Sequence, residues 1–296
     1  MNSETLTQVL ISDLDRKDRL TDFSLNNDEC PEKLMDSVKE IGIRHPISIC
    51  FTNKPYKIIS GHKRVQAAIK AGLTSIPAFL FPTMDGALVL NLKENFALRH
   101  YSDIEKGCIL NKLLIEGIQE DTIIDLYMPL LELERSKKIF QDLILVNKII
   151  PKLQKLLHRL SVPIKVFQVF FTWDHENQEA AEKIFSTTRP GVNKCRQLLE
   201  LVEEITKRDN ISPKEIFSTP FTIVTLENKD LTPSQKYDRI HETIEITRYP
   251  ILSDLKKQIA RALDEIKLDD KTRFKYQEAF ESDEMKLELK FRDERE

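Results

Sequence analysis

The stretch that decides the fold runs Tyr56-Lys57-Ile58-Ile59-Ser60-Gly61-His62-Lys63-Arg64-Val65-Gln66-Ala67-Ala68-Ile69-Lys70-Ala71-Gly72. A short apolar run, Ile58-Ile59, meets a glycine, and three polar or basic residues follow it. The next apolar residues fall at helical spacing, and Gly72 closes the pattern. The stretch therefore predicts a strand, a tight turn and a helix.

The turn at residues 61–64 has the composition of an anion site. His62, Lys63 and Arg64 would stand at the helix N-terminus, where unpaired N–H groups favour an anion. Gly61 would let the backbone approach a ligand closely, and a guanidinium can grip two phosphate oxygens at once. A solvated basic turn has the same composition, so the neighbouring motifs must decide between the two interpretations.

The overall composition indicates a helix-rich protein without a membrane span. Only 7 glycines among 296 residues, with many Lys, Glu and Leu residues, favour helix over most of the length. The net charge of −3 means that any nucleic-acid site must be a local basic patch. Four cysteines without a CxxC pair argue against a zinc ribbon or a disulfide framework. Since no long apolar run and no signal-peptide start exist, we expect a cytoplasmic protein.

Residues 1–100 are predicted to form one small α/β domain. A helix at 34–41 that ends at Gly42, a strand at 47–51 and a strand at 74–81 flank the opening stretch. Pro77, inside the last strand, favours an edge strand or a bulge.

Two further regions complete the predicted organisation. Residues 101–208 are predicted to be helical, and residues 209–296 are predicted to form an α/β segment with strands at 222–226 and 285–291. The fold class is therefore α+β: a small α/β N-terminal domain, a mostly helical domain, and a smaller C-terminal α/β segment.

The helical region contains a degenerate helix-turn-helix pattern. Residues 122–127 would form the first helix, 128–132 the turn, and 133–145 the second helix. Residues 131–170 hold eight Lys or Arg against three acids, which is the local charge that a phosphate-binding face needs. A solvated face of a helical bundle would also fit. The candidate DNA-binding residues in the second helix are Arg135, Ser136, Lys137, Lys138 and Gln141.

Two motifs in this order resemble the ParB N-terminal domain of the ParB/sulfiredoxin-like superfamily. The first is Gly61-His62-Lys63-Arg64 after its strand, and the second is Glu94-Asn95-Phe96-Ala97-Leu98-Arg99, which is similar to the ParB phosphate motif Glu-Asn-x-x-Arg. The helical residues 101–208 look like the ParB central domain. The resemblance, which extends to partition proteins of the nucleoid-occlusion type, covers about the first two thirds of the chain.

The resemblance implies a site for CTP and Mg²⁺. Glu94 would bind the metal or orient an attacking water, with slow CTP hydrolysis left open, and Asn95 would complete the oxygen ligands. The expected nucleotide-binding residues are Gly42, Arg44, Pro46, Gly61, His62, Lys63, Arg64, Asn95 and Arg99.

The turn departs from the Gly-Glu-Arg-Arg that is usual in partition proteins. His62 removes a carboxylate, and Lys63 replaces a planar fork with a point charge. A sulfiredoxin is excluded because residues 60–64 hold no cysteine. A small-molecule kinase or a nuclease on the same fold stays open, as does an adaptor whose pocket has decayed.

The leading hypothesis is a ParB-like DNA-binding protein under CTP control, of the plasmid or chromosome partition type or a transcription regulator. The resemblance implies a homodimer that is nucleoid-associated and binds DNA and nucleotide. No membrane partner is expected, because the sequence has no long apolar run. The resemblance leaves open a partner ATPase and a dimerisation role for residues 209–296.

Overall fold

The computed structural model describes residues 5–25, 30–96, 99–266, 272–276 and 285–290. The chain divides into two compact units, Met1–Glu182 and Lys183–Glu296. A five-stranded mixed sheet with helices comes first and a mostly helical region follows, so the predicted α+β class is confirmed. The three-part division at residues 100 and 208 stays a prediction.

The N-terminal sheet has the strand order β1-β5-β3-β4-β2. Strand β5 pairs antiparallel with β1 and parallel with β3, while β4 pairs antiparallel with β3 and parallel with β2. The elements up to residue 96 are β1 Thr5–Leu10, β2 Leu14–Asp15, α1 Glu32–Ile41, β3 Ile47–Cys50, β4 Tyr56–Ser60, α2 His62–Lys70, β5 Ser75–Phe81 and α3 Ala87–Asn95.

The expected edge position of Pro77 is wrong, because β5 lies between two strands. Pro77 faces Gln8 in the β1 register, and the parallel pairing with β3 begins only at Ala78. The proline therefore stands just before the ladder to β3 starts, and the strand tolerates a residue without an N–H group there.

The opening stretch forms the predicted strand, turn and helix as β4, Gly61 and α2. The sheet buries Ile47, Ile49 and Ile58, and α2 covers them with Val65 and Ala68. All five residues are at most 4% exposed. Burial of this apolar face holds the N-terminus of α2 at the end of β4.

Helices dominate from residue 101 onward, and several differ from the prediction. They are α4 Asp103–Ile115, α5 Glu120–Thr122, α6 Lys137–Ile144, α7 Pro151–Arg159, α8 Ile164–Phe167, α9 His175–Thr188, α10 Val192–Asp209, α11 Pro213–Phe217, α12 Pro220–Glu227, α13 Pro233–Arg248 and α14 Pro250–Ile266. A short antiparallel pair follows, β6 Thr272–Tyr276 and β7 Met285–Leu289. Strand β7 confirms the first five residues of the strand predicted at 285–291, and residue 291 lies outside the described residues.

The strand predicted at 222–226 is wrong, since these residues lie inside α12. Pro220 occupies the first helical turn, and the Thr219 hydroxyl accepts from the Thr222 N–H. Thr225 and Leu226 are buried. The cap and the packing of one helix face outweigh the β-propensity of the segment.

The second helix of the helix-turn-helix pattern starts four residues later than predicted. Glu132 takes a left-handed conformation, and Ser136 caps α6 by accepting from the Ile139 N–H. The first helix continues from α5 through a π-helical turn, Ile123–Tyr127. Arg135 and Ser136 therefore precede the candidate recognition helix instead of lying within it.

Helices α4 and α6 share a core with the N-terminal region. Leu92 of α3, Ile109 and Leu113 of α4, and Phe140 and Leu143 of α6 belong to one buried cluster. Within the part of the chain that the structure describes, none of the helices is both long and apolar enough to span a bilayer.

Two glycines at the ends of α2 allow a matched test of this packing. Gly61 (φ +102°) and Gly72 (φ +75°) both have left-handed backbones, but a Cβ at Gly61 would lie 2.6 Å from Ile47 Cγ2, whereas one at Gly72 would meet nothing within 4 Å. We expect Gly72→Ala to lower the free energy of unfolding by about 1–2 kcal/mol. Gly61→Ala should cost about 1–3 kcal/mol more, because the added methyl overpacks the sheet. Urea unfolding measures both values, and equal losses would contradict the close contact.

Candidate functional site

A cavity of about 720 Å³ lies where α2 and α3 meet the sheet. It brings together both predicted motifs although 29 residues separate them. The predicted site residues that line the cavity are Pro46, Gly61, His62, Lys63, Arg64, Glu94, Asn95 and Arg99. Gly42 and Arg44 belong to the neighbouring segment but are not among the residues described as lining it.

The N-terminus of α2 opens into this cavity. Gly61 is the N-cap and supplies no side-chain acceptor to the first turn. The N–H groups that begin an α-helix have no partner inside the helix, and the helix dipole adds partial positive charge there. An anion in the cavity would thus meet backbone donors as well as Lys63 and Arg64.

Arg64 anchors the loop before β3. Its Nη1 donates to the backbone oxygen of His45 at 2.9 Å and also to that of Pro46. Burial lowers the pKa of Arg64, and the charge of Glu94 opposes this effect. Because a guanidinium carries five N–H donors, the group can hold the loop and still offer donors to a ligand.

His62 acts as a neutral donor to the cavity wall. The Thr21 hydroxyl donates to the Ile58 backbone oxygen at 2.6 Å, so its oxygen accepts from His62 Nε2 at 3.0 Å. Burial lowers the pKa of His62, with Asp22 opposing the shift. His62 therefore adds no positive charge at neutral pH and instead fixes the segment around Thr21.

One face of α3 supplies the oxygen-rich side of the cavity. Ser48 Oγ donates to Glu94 Oε1 at 2.9 Å. Asn95 Nδ2 donates to the backbone and side-chain oxygens of Asn91 at 2.8 and 2.9 Å, which leaves Asn95 Oδ1 for another partner. Asn91 in turn donates to the backbone oxygens of Thr21 and Ile59. These contacts fix α3 against β4.

Glu94 and Asn95 present the oxygen donors that Mg²⁺ prefers. No group of three His, Cys, Asp or Glu residues arranged for a metal occurs among the described residues. One carboxylate and one amide oxygen suit an ion that arrives with phosphates and water, because Mg²⁺ usually keeps both kinds of ligand. The residues present therefore fit a metal carried by a nucleotide better than a metal held by protein alone.

Arg99 lines the cavity, and its guanidinium contacts Glu105 and Tyr101. Its Nη2 donates to Glu105 Oε1, and its guanidinium carbon lies 4.7 Å from the centroid of the Tyr101 ring. The Glu105 side chain is 1% exposed. The arginine is thus oriented by a buried carboxylate and an aromatic face.

Sequence reasoning missed the wall formed by Thr21, Asp22, Phe23 and Ser24. These residues are buried but lie in an irregular segment without periodicity, so no pattern marks them. Asn91 was also missed, although its spacing of three and four residues from the second motif places it on the same helix face. That spacing was the one available signal.

The candidate DNA-binding residues lie together around the start of α6. Lys137, Lys138 and Gln141 are exposed on one side of the helix. Lys137 Nζ lies 3.4 Å from Glu120 Oε1, and Arg135 Nε donates to the Asp125 backbone oxygen at 3.1 Å. Ser136 is occupied by its capping role, which leaves Lys138 and Gln141 as the residues best placed to meet a ligand.

Comparison with known proteins finds a family likeness in the first third of the chain. Residues 1–96 match the ParB N-terminal domain. The chain is 36% identical over 86 residues to a probable chromosome-partitioning protein ParB of Coxiella burnetii, covering 29% of this chain and 30% of the relative. A probable ParB of Neisseria meningitidis serogroup A is 33% identical over 125 residues, covering 41% and 43%. The chain thus matches less than half the length of these relatives.

Two solved structures show more distant likeness. A Pnob8-like ParB-N domain has 16% identity and a TM-score of 0.37, covering 82% of this chain and 98% of that one. A C-terminally truncated ParB from Caulobacter crescentus complexed with CTP-γ-S has 19% identity and a TM-score of 0.25, covering 65% and 98%. The likeness to ParB proteins therefore depends on the sequence match, which includes the first of the two motifs that line the cavity and the beginning of the second. Residues 1–96 are therefore similar in sequence to a ParB N-terminal domain.

Proposed function

We propose that this chain is a ParB-like DNA-binding protein whose N-terminal domain binds CTP with Mg²⁺. The observation that carries the proposal is the convergence of both phosphate motifs, at 61–64 and 94–99, on one cavity. A volume of about 720 Å³ is within the range of small-molecule and cofactor sites.

The phosphates would lie against the N-terminus of α2. The N-terminal turn of α2 lines the cavity, and with Arg99 paired to Glu105 and Asp22 paired to Arg19, Lys63 and Arg64 add two positive charges against one from Glu94. This balance favours a polyanion. The resemblance implies CTP, with Pro46, Gly42 and Arg44 on the side of the base.

Glu94 and Asn95 would hold Mg²⁺ together with the phosphate oxygens. The bound ion would neutralise phosphate charge there. Glu94, fixed by Ser48, is also the residue that could orient a water for slow hydrolysis. A much faster turnover would favour the small-molecule kinase or nuclease instead.

The helical region would bind DNA mainly through its phosphate backbone. The excess of Lys and Arg between residues 131 and 170, in a chain of net charge −3, supports this assignment. We also propose a homodimer and a role in plasmid or chromosome partition at the nucleoid, with a partner ATPase, all of which come from the resemblance.

Replacing Arg64 tests the phosphate cradle. We expect Arg64→Ala to weaken Mg²⁺–CTP binding on the order of 10- to 100-fold, because at least one charged hydrogen bond to phosphate is lost. Isothermal titration measures the affinity. Lys70→Ala removes an exposed cation from the other end of α2 and should bind CTP normally. The cradle is disproved if both variants bind like the wild type, or if the wild type binds no nucleotide.

Replacing Glu94 tests the metal assignment. Glu94→Gln keeps the acceptor for Ser48 but removes the charge. We expect the variant to lose most of the Mg²⁺ dependence of CTP affinity and any slow phosphate release. Titrations with Mg²⁺ and with EDTA, together with a phosphate-release assay, measure both effects. Glu40→Gln on the exposed side of α1 is the control, and unchanged Mg²⁺ dependence in Glu94→Gln would refute the assignment.

Replacing Lys138 tests the DNA face. We expect Lys138→Gln to weaken DNA binding and to reduce the slope of log K against log salt concentration by about 0.9, the value for one lost phosphate contact. Fluorescence anisotropy over a salt series measures the slope. Lys39→Gln, an exposed lysine of α1, should leave the slope unchanged. If both variants retain the wild-type slope, Lys138 makes no phosphate contact.

A further inference from the structure

The first turn of α4 joins the cavity to the helical region through a buried carboxylate. Glu105 is 1% exposed, and its two oxygens face different partners. We propose that Glu105 is a positioning residue that orients Arg99 toward the phosphates and transmits their presence to α7 through Ser102 and His158. This inference rests on the proposed nucleotide site and adds to it a route of regulation.

Arg99 is held on two sides. Glu105 Oε1 accepts from its Nη2, and the Tyr101 ring lies beneath its guanidinium. The Tyr101 ring makes an edge-to-face contact with Phe23 at 6.4 Å between centroids, and Phe23 lines the cavity. The guanidinium is therefore fixed in direction before any ligand arrives, which lowers the entropic cost of binding.

We expect the Arg99–Glu105 ion pair to persist when a phosphate binds. Loss of the cation would leave a buried carboxylate without a counter-charge in a poorly solvated site. Leaving a buried charge unpaired in this way is energetically costly. A guanidinium has further donors besides Nη2, so Arg99 can bridge the carboxylate and a phosphate. Phosphate and Glu105 would then hold the same group from opposite sides.

The other end of this network reaches α7. Ser102 Oγ lies 2.8 Å from His158 Nδ1, and Glu105 Oε2 lies 3.8 Å from the same atom. Glu105 Oε2 also accepts from the Ser102 N–H at 3.2 Å, as part of the capping box of α4. Because Glu105 Oε2 faces both Ser102 and His158, a movement of Glu105 together with a phosphate-bound Arg99 would change its distance to each of them.

The same turn is also tied to α8. Asp103 Oδ2 accepts from the Ile164 N–H at 2.8 Å. The start of α4 therefore contacts α7 and α8 at the same time as it holds Arg99. Since α7 carries the exposed cations Lys152 and Arg159 and no acidic residue, its position bears on any DNA contact. Coupling of this kind is reciprocal, so DNA on α7 would change CTP affinity by the same factor.

A double-mutant cycle tests the positioning role. Mg²⁺–CTP affinity is measured by isothermal titration for the wild type, Arg99→Gln, Glu105→Gln and the double variant. We expect Glu105→Gln alone to weaken binding roughly tenfold or more, and the double variant to bind no worse than Arg99→Gln. Additive losses would overturn the inference, because they mean that Glu105 does not act through Arg99. Glu116→Gln, an exposed glutamate at the other end of α4, is the matched control.

Hydrogen exchange tests the route to α7. Saturating Mg²⁺–CTP should slow amide exchange at residues 151–159 in the wild type, and His158→Gln, which keeps the Arg99–Glu105 pair, should abolish that change. This second variant keeps the test decisive if Glu105→Gln fails to fold. If the wild type binds CTP but amide exchange at residues 151–159 does not change, this inference is wrong and the proposed function stands. Wild-type protein that binds no nucleotide would remove the proposed function and this inference together.

Discussion

The close approach of β3 to Gly61 is the constraint on which the site depends. Ile47 packs so tightly against the turn that a Cβ at residue 61 would lie 2.6 Å from its Cγ2. Without a side chain at 61, the chain turns through a left-handed conformation and α2 begins directly at the cavity. Arg64 can then reach the carbonyls before β3 and close the wall of the cavity. The position of the candidate anion site thus follows from one contact in the core of the sheet.

Once the paired groups are set aside, the side chains around this cavity carry a small excess of positive charge. Burial lowers the pKa of His62 and keeps the ring neutral, and its Nε2–H donates to the Thr21 hydroxyl. Asp22 is paired with Arg19, and Glu94 accepts from a hydroxyl instead of from a cation. Arg99 is paired with Glu105, so Lys63 and Arg64 face Glu94 as the remaining charges among the described lining residues. In a chain of net charge −3, this small local excess of positive charge favours an anion over a cation at the cavity.

Local sequence patterns predicted much of this arrangement, and long-range contacts account for the rest. The strand, glycine and helix around Gly61 follow from periodicity and turn chemistry, both of which act between near neighbours. Helix α12 was mistaken for a strand because Thr222 and Ile223 have high β-propensity, while its cap and buried face are tertiary features. The start of α6 was placed too early because a Ser N-cap is visible in sequence only when the preceding turn is known.

The site residues that sequence analysis missed also depend on long-range contacts and not on local patterns. The segment at Thr21 is part of the cavity because distant groups hold it: Asn91 donates to its backbone oxygen, and Lys112 Nζ donates to the backbone oxygens of Arg19 and Asp22 at 2.8 and 2.6 Å. Lys112 lies on α4, beyond the predicted end of the α/β domain. The helical region therefore supplies part of the support for the cavity wall.

That support has a mechanical consequence. The cavity, α4 and α6 belong to one compact unit, and one buried cluster contains Phe23 of the cavity wall, Leu113 of α4 and Phe140 of α6. Because packed interiors respond to small shifts as connected bodies, a ligand that moves the wall at Phe23 acts on the same core that carries the candidate DNA helix. A separate hinge between the α/β domain and α6 is therefore unnecessary for the cavity and the candidate DNA-binding residues to influence one another.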